Sequence, residues 1–268
     1  MPAPAAFDIL APAYDEQFTR SLVGNCQRAS VRRYLQSFLQ GQGSLSILEI
    51  NCGTGDDALW LSSLGHNVIA TDASPEMIAV AKSKLPPEEN VSAQFITCAF
   101  EDLSTRFHDQ QFDLLFSNFS GLNCLSPGEL ERTGRSIAAL VKPGGSLAVV
   151  VFGKHTFWEM LWFLPRLQFG SAFRRWTSRA VPVILKENII QDVYYYPVKK
   201  VSRVMKDFRM VDKRPVGLFV PPSYLEGSMR KRPRFFRWLK RREEHWGRAS
   251  FLAAGADHAY LLFKKETK

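Results

Sequence analysis

A chain of 268 residues, 46% hydrophobic and 23% charged, carries enough apolar material to bury a full core, and none of its apolar runs reaches the length of a membrane span. The net charge of +9 is unevenly spread: residues 1–153 hold 10 Lys and Arg against 16 Asp and Glu, and residues 154–268 hold 25 against 10. Any anionic partner therefore belongs to the second half. Cys26, Cys52, Cys98 and Cys124 stand singly without a C-x-x-C pair, which argues for reduced cysteines and against a metal site or a disulfide framework. The opening MPAPAAFDIL has no basic leader ahead of an apolar core, so the expected location is the cytoplasm.

In FDILAPAYDEQF, Phe7, Ala11, Tyr14 and Phe18 recur at helical spacing and predict an apolar stripe. Val31 to Leu39 reads as an amphipathic helix leading through Gly41-Gln42-Gly43 to a buried strand, Leu45 to Ile50. That strand breaks at a turn holding Gly53 and Gly55, then enters a helical segment from Asp57 to Leu64. Glycine at these points permits positive φ and close ligand approach, and the helix start offers unpaired N–H groups. A second strand, Val68 to Thr71, ends at Asp72. A carboxylate at a second strand tip, about twenty residues past the turn, is placed to accept ribose hydroxyls.

Gly53-Thr54-Gly55-Asp56-Asp57-Ala58 also fits the dinucleotide pattern G-x-G-x-x-A, so the nucleotide must be decided by its surroundings. Glu49 and Asp56 crowd acidic groups around the turn, which disfavours a pyrophosphate and suits a cationic ligand. Asp72 is followed by Ala73-Ser74-Pro75-Glu76-Met77, a cap with proline opening the next helix, and Leu140-Val141-Lys142-Pro143-Gly144-Gly145 leads into a strand from Ser146 to Phe152. In these motifs, E-x-N-C-G-T-G, the strand-tip aspartate, D-x-S-x-x-M and L-V-K-P-G-G, the chain resembles the class I S-adenosylmethionine-dependent methyltransferases of small-molecule type, over roughly Phe7 to Gly153 plus the last strand. The resemblance implies an α/β, Rossmann-like, doubly wound seven-stranded sheet, mostly parallel with its last strand antiparallel. It also implies S-adenosylmethionine as cofactor, held by Tyr14, Glu49, Asn51, Cys52, Gly53, Gly55, Asp72, Ala73, Met77, Ala99, Phe100, Glu101, Asn118 and Phe119. Tyr14 belongs to an A-x-x-Y-D-x-x-F segment that closes over the cofactor in such enzymes. Ala99 stands where they commonly place an acidic contact to adenine, which shifts that recognition to Phe100 and the main chain.

Further along, Pro75 to Lys84 reads as a helix ended by Pro86-Pro87, Ala93 to Cys98 as strand three, Phe112 to Ser117 as strand four, and Pro127 to Leu140 as a helix. The strand-four end, Ser117 to Asn123, lacks the [DNS]-P-P-[YF] of enzymes that methylate nucleic-acid amines. Lys154 to Phe169 is apolar on nearly every face and breaks at Pro165. Asn188 to Tyr196 reads as a strand, Pro197 to Phe208 as a helix, and Val211 to Val220 and Ala259 to Lys264 as strands six and seven. Between those two sits a long insertion in which eight basic residues from Arg230 to Arg242 surround Phe235, Phe236 and Trp238. Its plainest reading is a solvated helix face with the aromatics turned inward; the alternatives are a nucleic-acid contact through 230–242, a peripheral membrane contact or recognition of an acidic substrate. Its position predicts that it can be removed without loss of cofactor affinity.

The expected organisation is an N-terminal helical lid (1–40), a cofactor-binding core (41–153), and a second half (154–268) that completes the sheet and caps the substrate. The expected function is methyl transfer to a small organic acceptor, an oxygen of a hydrophobic or aromatic molecule. The alternatives are an RNA methyltransferase and a non-catalytic protein that retains the fold. His155, just past strand five, is the one candidate base.

Overall fold

The computed structural model describes residues 7–86, 92–186 and 189–267, so the positions 1–6, Pro87 and Asn188 named above lie outside the described residues. Seven strands form the central sheet: β1 (Ser46–Ile50), β2 (Asn67–Asp72), β3 (Ala93–Thr97), β4 (Phe112–Ser117), β5 (Val141–Phe152), β8 (Phe208–Val216) and β9 (His258–Lys265). Their order is β3-β2-β1-β4-β5-β9-β8, parallel from β3 to β5, with β9 antiparallel to both β5 and β8. This is the doubly wound sheet with one reversed strand that the motifs imply. β6 (Val181–Lys186) and β7 (Ile189–Val193) form a separate antiparallel hairpin.

β1 and β4 are apolar on both faces because helices cover the sheet above and below. One face packs Leu48, Ile50, Leu115, Leu147, Val149 and Leu261 against the helix Pro127–Leu140. The other packs Ile47, Leu114, Phe116, Val150 and Tyr260 against α1 (Leu22–Leu39) and α2 (Asp56–Ser63). α1 is longer than its apolar pattern predicts. It starts where the Ser21 hydroxyl accepts the Gly24 N–H at 3.0 Å, an N-cap, and it forms a layer of the core. α3 (Pro75–Ser83) opens with Ser74 accepting from the Met77 N–H at 3.1 Å and with proline in the first turn.

Sheet order fixes where a ligand can sit. The chain runs from β1 out to β2 and β3, then returns to β4 on the opposite side, which opens a crevice at the carboxyl ends of β1 and β4. β9 runs the other way, so its first residue, His258, lies at that same edge, paired with Phe152 at the end of β5.

The basic insertion contains α4 (Glu226–Arg230) and α5 (Pro233–Trp246). Its packing ties it to α1, so removing it would disturb that helix as well. Phe236, Leu239 and Met229 share a core with Val23 and Cys26 of α1, and the two Glu226 carboxylate oxygens accept the Leu22 and Val23 N–H groups at 3.0 and 2.9 Å. The buried Glu243 carboxylate accepts four successive backbone N–H groups, from Gly217, Leu218, Phe219 and Val220, at 2.7–3.3 Å. Of the aromatics expected to turn inward, Phe236 is buried, but Phe235 and Trp238 are 43% and 48% exposed. Among the described residues no helix is long and apolar enough to cross a membrane.

Candidate functional site

The turn after β1 is held by its neighbours. Asn51 takes φ 53°, a left-handed conformation that asparagine tolerates better than most residues. Its side chain donates to the Asn118 carbonyl at 2.6 Å and accepts from the Ser117 hydroxyl at 2.6 Å, tying the tips of β1 and β4. The Gly53 N–H donates to Asp72 Oδ2 at 2.8 Å and the Ser74 N–H to Oδ1 at 3.0 Å, so one carboxylate organises both the turn and the start of α3. Two glycines are needed for different reasons. At Gly55, φ +78°, a Cβ would lie 2.5 Å from the Phe95 ring and 2.9 Å from Ala81, so no side chain fits. At Gly53, φ +54°, a Cβ would meet only Tyr14 at 3.7 Å, which leaves the backbone open to a ligand.

Buried charge surrounds this turn. Asp57, 2% exposed, is paired with Arg28 and with Arg32 Nε at 2.8 Å, and accepts from Asn118 Nδ2 at 2.7 Å. Burial pushes its carboxyl up, but the two guanidiniums and these hydrogen bonds hold it below the ordinary range. Arg32 also reaches the Asp56 carboxylate at 3.0 Å, and Arg28 lies 5.0 Å over the Phe119 ring. Glu49 is 1% exposed and its Oε2 has no partner among the described residues. Burial first, and then the nearby Asp57 charge, raise its pKa well above the usual value despite Arg28 and Arg32. An orphaned buried carboxylate oxygen beside a glycine turn is a place for a cationic or N–H-bearing ligand group.

The N-terminal segment latches across the crevice. Thr54 Oγ1 donates to Asp15 at 2.6 Å, Asp15 pairs with Lys84, and the Ser74 hydroxyl bonds Asp8. Between these latches stands Tyr14. Burial raises its hydroxyl pKa; Arg28 pulls it down, and Asp72, Asp57 and Asp15 push it up, which places the phenol among the charges of the site.

The structure thus gathers Tyr14, Glu49, Asn51, Cys52, Gly53, Gly55, Asp72, Asn118 and Phe119 around one crevice, with Ala73 exposed beyond Asp72. Phe119 and Ser120 take φ 46° and 68°, successive left-handed residues of the kind that cluster at functional sites. Ala99, Phe100 and Glu101 start the turn after the neighbouring β3; Phe100 packs on the core and Glu101 faces solvent. Met77 is 1% exposed and sits against Leu10 and Ala11 in a small core under the latch. His155 is exposed, edge-on to Trp176 at 4.9 Å.

The sequence reading missed the arginines of α1 and a second polar cluster, at the ends of β5 and β9. There Glu159, 1% exposed, receives Arg174 Nε at 3.0 Å and Arg175 Nε at 3.0 Å. Arg175 Nη2 continues to Asp257 Oδ1 at 2.8 Å, and Gln27 Nε2 of α1 reaches Asp257 Oδ2 at 3.1 Å. Burial would raise the Asp257 carboxyl, yet His258 and Arg175 beside it hold it well below the usual carboxylate range. The signals were present but weak: Arg28 and Arg32 are four apart and so share a helix face, and Asp257-His258 stand at a strand mouth.

The family model described as "Methyltransferase domain" matches residues 47–145, the span from β1 into β5. An uncharacterized methyltransferase of Synechocystis is 28% identical over 132 residues, 49% of this chain and 58% of the relative. A demethylmenaquinone methyltransferase of Clavibacter sepedonicus is 30% identical over 151 residues, 55% of this chain and 57% of the relative. The chain thus spans somewhat over half the length of these relatives. A solved structure of a SAM-dependent methyltransferase from Methanosarcina mazei superposes with a TM-score of 0.59 at 19% identity, covering 88% of this chain and 98% of that one. Residues 47–145 thus match a methyltransferase domain, and the chain has the fold of the class I S-adenosylmethionine-dependent methyltransferases. The cofactor of that family is S-adenosylmethionine. The residues present fit it: an unpartnered Glu49 oxygen in an acidic crevice for the cationic end, an open backbone at Gly53, and Asp72 at the tip of β2 for the ribose.

Proposed function

We propose that this protein transfers the methyl group of S-adenosylmethionine to a small organic acceptor, an oxygen of a hydrophobic or aromatic molecule. The observation that carries the reading is the crevice itself: a buried, orphaned carboxylate at Glu49 next to an open glycine turn, continued along the same sheet edge by the aromatic rings of Phe119, Phe152 and Tyr195. A sulfonium supplies an electrophilic methyl carbon, so the protein's work is to align the acceptor with it and to exclude water. In this reading Asp72 holds the ribose while the Gly53 turn and Glu49 receive the cationic amino-acid end. Tyr14 closes over them. The two arginines of α1 keep Asp57 ionised beneath the turn, and Ala99 with Phe100 contacts the adenine through main chain and ring. Residues 154–268 complete the core sheet, and their helical and strand insertions form the substrate cap. Relatives named as demethylmenaquinone methyltransferases support a hydrophobic acceptor.

A second reading has one observation in its favour. Phe235 and Trp238 are exposed and stacked 5.9 Å apart on α5, beside Arg234, Arg237 and Arg241, which form no ion pair among the described residues. This is a surface on which bases can stack, and one relative is a tRNA 5-carboxymethoxyuridine methyltransferase of Escherichia coli. A radiolabelled methyl-transfer screen over phenols, quinols, carboxylates and bulk RNA, with RNA binding measured against salt, decides between the two. Transfer to phenols or quinols with weak RNA binding supports the first. Transfer to RNA, with binding that falls steeply as salt rises, replaces it with the second.

A further inference from the structure

We infer that Asp257 and His258 are the proton-accepting pair of the acceptor site, in which His258 Nε2 takes the proton of an acceptor ring hydroxyl as the methyl group arrives. The inference rests on the methyl-transfer reading and gives it the chemical class of acceptor: a phenol or quinol.

Position comes first. His258 is the first residue of β9 and pairs with Phe152, the last of β5, at the sheet edge that also carries Asn51, Asp72 and Asn118. Two consecutive residues of α1 join this pair to the cofactor crevice. Gln27 bonds Asp257, and Arg28 pairs with Asp57 below the glycine turn while lying over Phe119. The Phe119 ring in turn stands edge-on to His258 at 5.7 Å. Only one aromatic ring therefore separates the imidazole from Arg28.

The chemistry of the pair follows from its burial. His258 is 5% exposed, stacked on Phe152 at 4.6 Å, and its Nδ1 lies 3.3 Å from Asp257 Oδ2 but out of line for a hydrogen bond, so that nitrogen has no hydrogen-bond partner among the described residues. Nε2 forms no hydrogen bond among the described residues. Asp257, by contrast, is fixed on both oxygens by Gln27 and Arg175, and Arg175 is fixed by Glu159 and by the Gly153 carbonyl. The charged groups facing the imidazole are thus Asp257, Arg175 behind it, Glu159 and Arg174 behind that, and Arg28 across Phe119. The two carboxylates and the two arginines of the cap balance before a proton arrives. An imidazolium next to Asp257 is then a compensated charge, the arrangement that makes a buried histidine serviceable as a base. The flanking Phe119, Phe152 and Tyr195 rings suit a flat aromatic acceptor, whose hydroxyl is acidic enough for imidazole to assist.

The step balances without an oxidant or reductant. The acceptor O–H bond breaks and its proton goes to Nε2; an oxygen electron pair forms the O–CH3 bond; the S–CH3 pair stays on sulfur, leaving a neutral thioether. Asp257 is a positioning residue: its Oδ2, 3.3 Å from Nδ1, favours the proton on that nitrogen by charge and leaves Nε2 free.

Two measurements test this. Imidazole 15N NMR on the wild-type protein with S-adenosylhomocysteine at pH 7.5 should show the Nδ1–H tautomer of His258. An Nε2–H tautomer, or a ring that stays charged at that pH, overturns the inference without any need for an acceptor. In parallel, His258→Gln should bind S-adenosylmethionine within about twofold of wild type by calorimetry. Its kcat/KM toward 1,4-naphthohydroquinone and catechol, assayed under nitrogen, should fall about 10²–10⁴-fold with loss of the acid limb of the pH profile. A variant as active as wild type sinks this inference alone. A wild-type protein that binds no S-adenosylmethionine sinks the methyl-transfer reading instead.

Discussion

Replacing Asp72 by Asn asks whether the ribose contact and the architecture of the turn depend on the same carboxylate. Each Asp72 oxygen already accepts one backbone N–H, from Gly53 and from Ser74, and each keeps a lone pair for a ribose hydroxyl. Burial raises the carboxyl pKa, with these two amides pulling it back, so the charge is present at a cost that the amides only partly offset. Asparagine keeps one acceptor and turns an NH2 toward either an amide or the ligand. Charge-assisted hydrogen bonds are worth roughly 1.5–3 kcal/mol, so losing one and weakening the other should lower cofactor affinity by at least about tenfold, or about 1.4 kcal/mol. The empty protein should also feel the change. One backbone N–H loses its acceptor, which costs on the order of 1 kcal/mol after some relief from removing a buried charge, or about 2–4 °C in Tm for a chain of this size. Calorimetry with S-adenosylhomocysteine and melting curves with and without it measure both effects. Unchanged affinity would refute the assignment of the nucleoside to Asp72. A Tm loss without an affinity loss would make Asp72 a purely architectural residue.

Three further outcomes are expected. Glu49→Gln should raise Tm at neutral pH, because the native state no longer holds a buried, partly orphaned carboxylate, and should weaken S-adenosylmethionine binding; a variant both less stable and unchanged in affinity would show that Glu49 only braces the turn. Glu243→Ala should unpair four N–H groups from Gly217 to Val220 and lower stability by on the order of 3 kcal/mol in urea melts, an effect that a merely solvated basic helix would not show. For acid, the sign follows from Asp57 and Asp257, whose carboxyls are depressed in the native state: their contribution is present above about pH 4 and is lost as pH falls further, because the unfolded chain binds protons first. Glu49, with a raised pKa, works in the opposite direction. Asp257→Asn should flatten the acid limb of the stability curve, and an unchanged limb would count against this account.

What the sequence made legible is what short-range chemistry determines. The strand-turn-helix from Ser46 to Ser63, Asp72 at the β2 tip and the Ser74-Pro75 helix start depend on buried apolar runs, on glycines with positive φ and on local capping. α1 was only half visible, because Leu22 to Ser30 carries GNCQRAS, which has no clear apolar period. That half is held by distant partners: Glu226 at its first N–H groups, Asp257 for Gln27 and Asp57 for Arg28. The β6–β7 hairpin escaped notice beyond its second strand for a similar reason, since Val181-Pro182 and the register shift near Lys186 obscure the alternation. A single-residue difference at the start of the last strand, His258 in place of Ala259, was enough to leave the buried histidine unconsidered and His155 as the candidate. Ion pairs between residues 25 to 82 positions apart have no local signature, so the Arg32–Asp57 and Arg175–Asp257 contacts could not be read in advance.

The basic second half has more structural work to do than its charge suggests. Burying carboxylates such as Asp57, Glu159, Glu243 and Asp257 is costly unless each is paired and hydrogen-bonded, and well-packed apolar residues would often serve stability as well. Their partners, however, connect the site. Glu243 of α5 gathers the turn at Gly217, whose carbonyl accepts the Asp257 N–H at 3.1 Å; Asp257 is bonded by Gln27; and Arg28, the next residue, pairs with Asp57 under the glycine turn. One chain of contacts therefore runs from the insertion through the edge of β9 to the cofactor crevice, with α1 as its middle link. Its buried charges are each met locally, Glu243 by four backbone N–H groups, Asp257 by Arg175 and Asp57 by Arg28, and neutral Gln27 joins the last two. Under the proposed function, the cost of these charges is tied to holding the cofactor and acceptor half-sites in one fixed geometry, which an in-line methyl transfer requires and an apolar core would not supply.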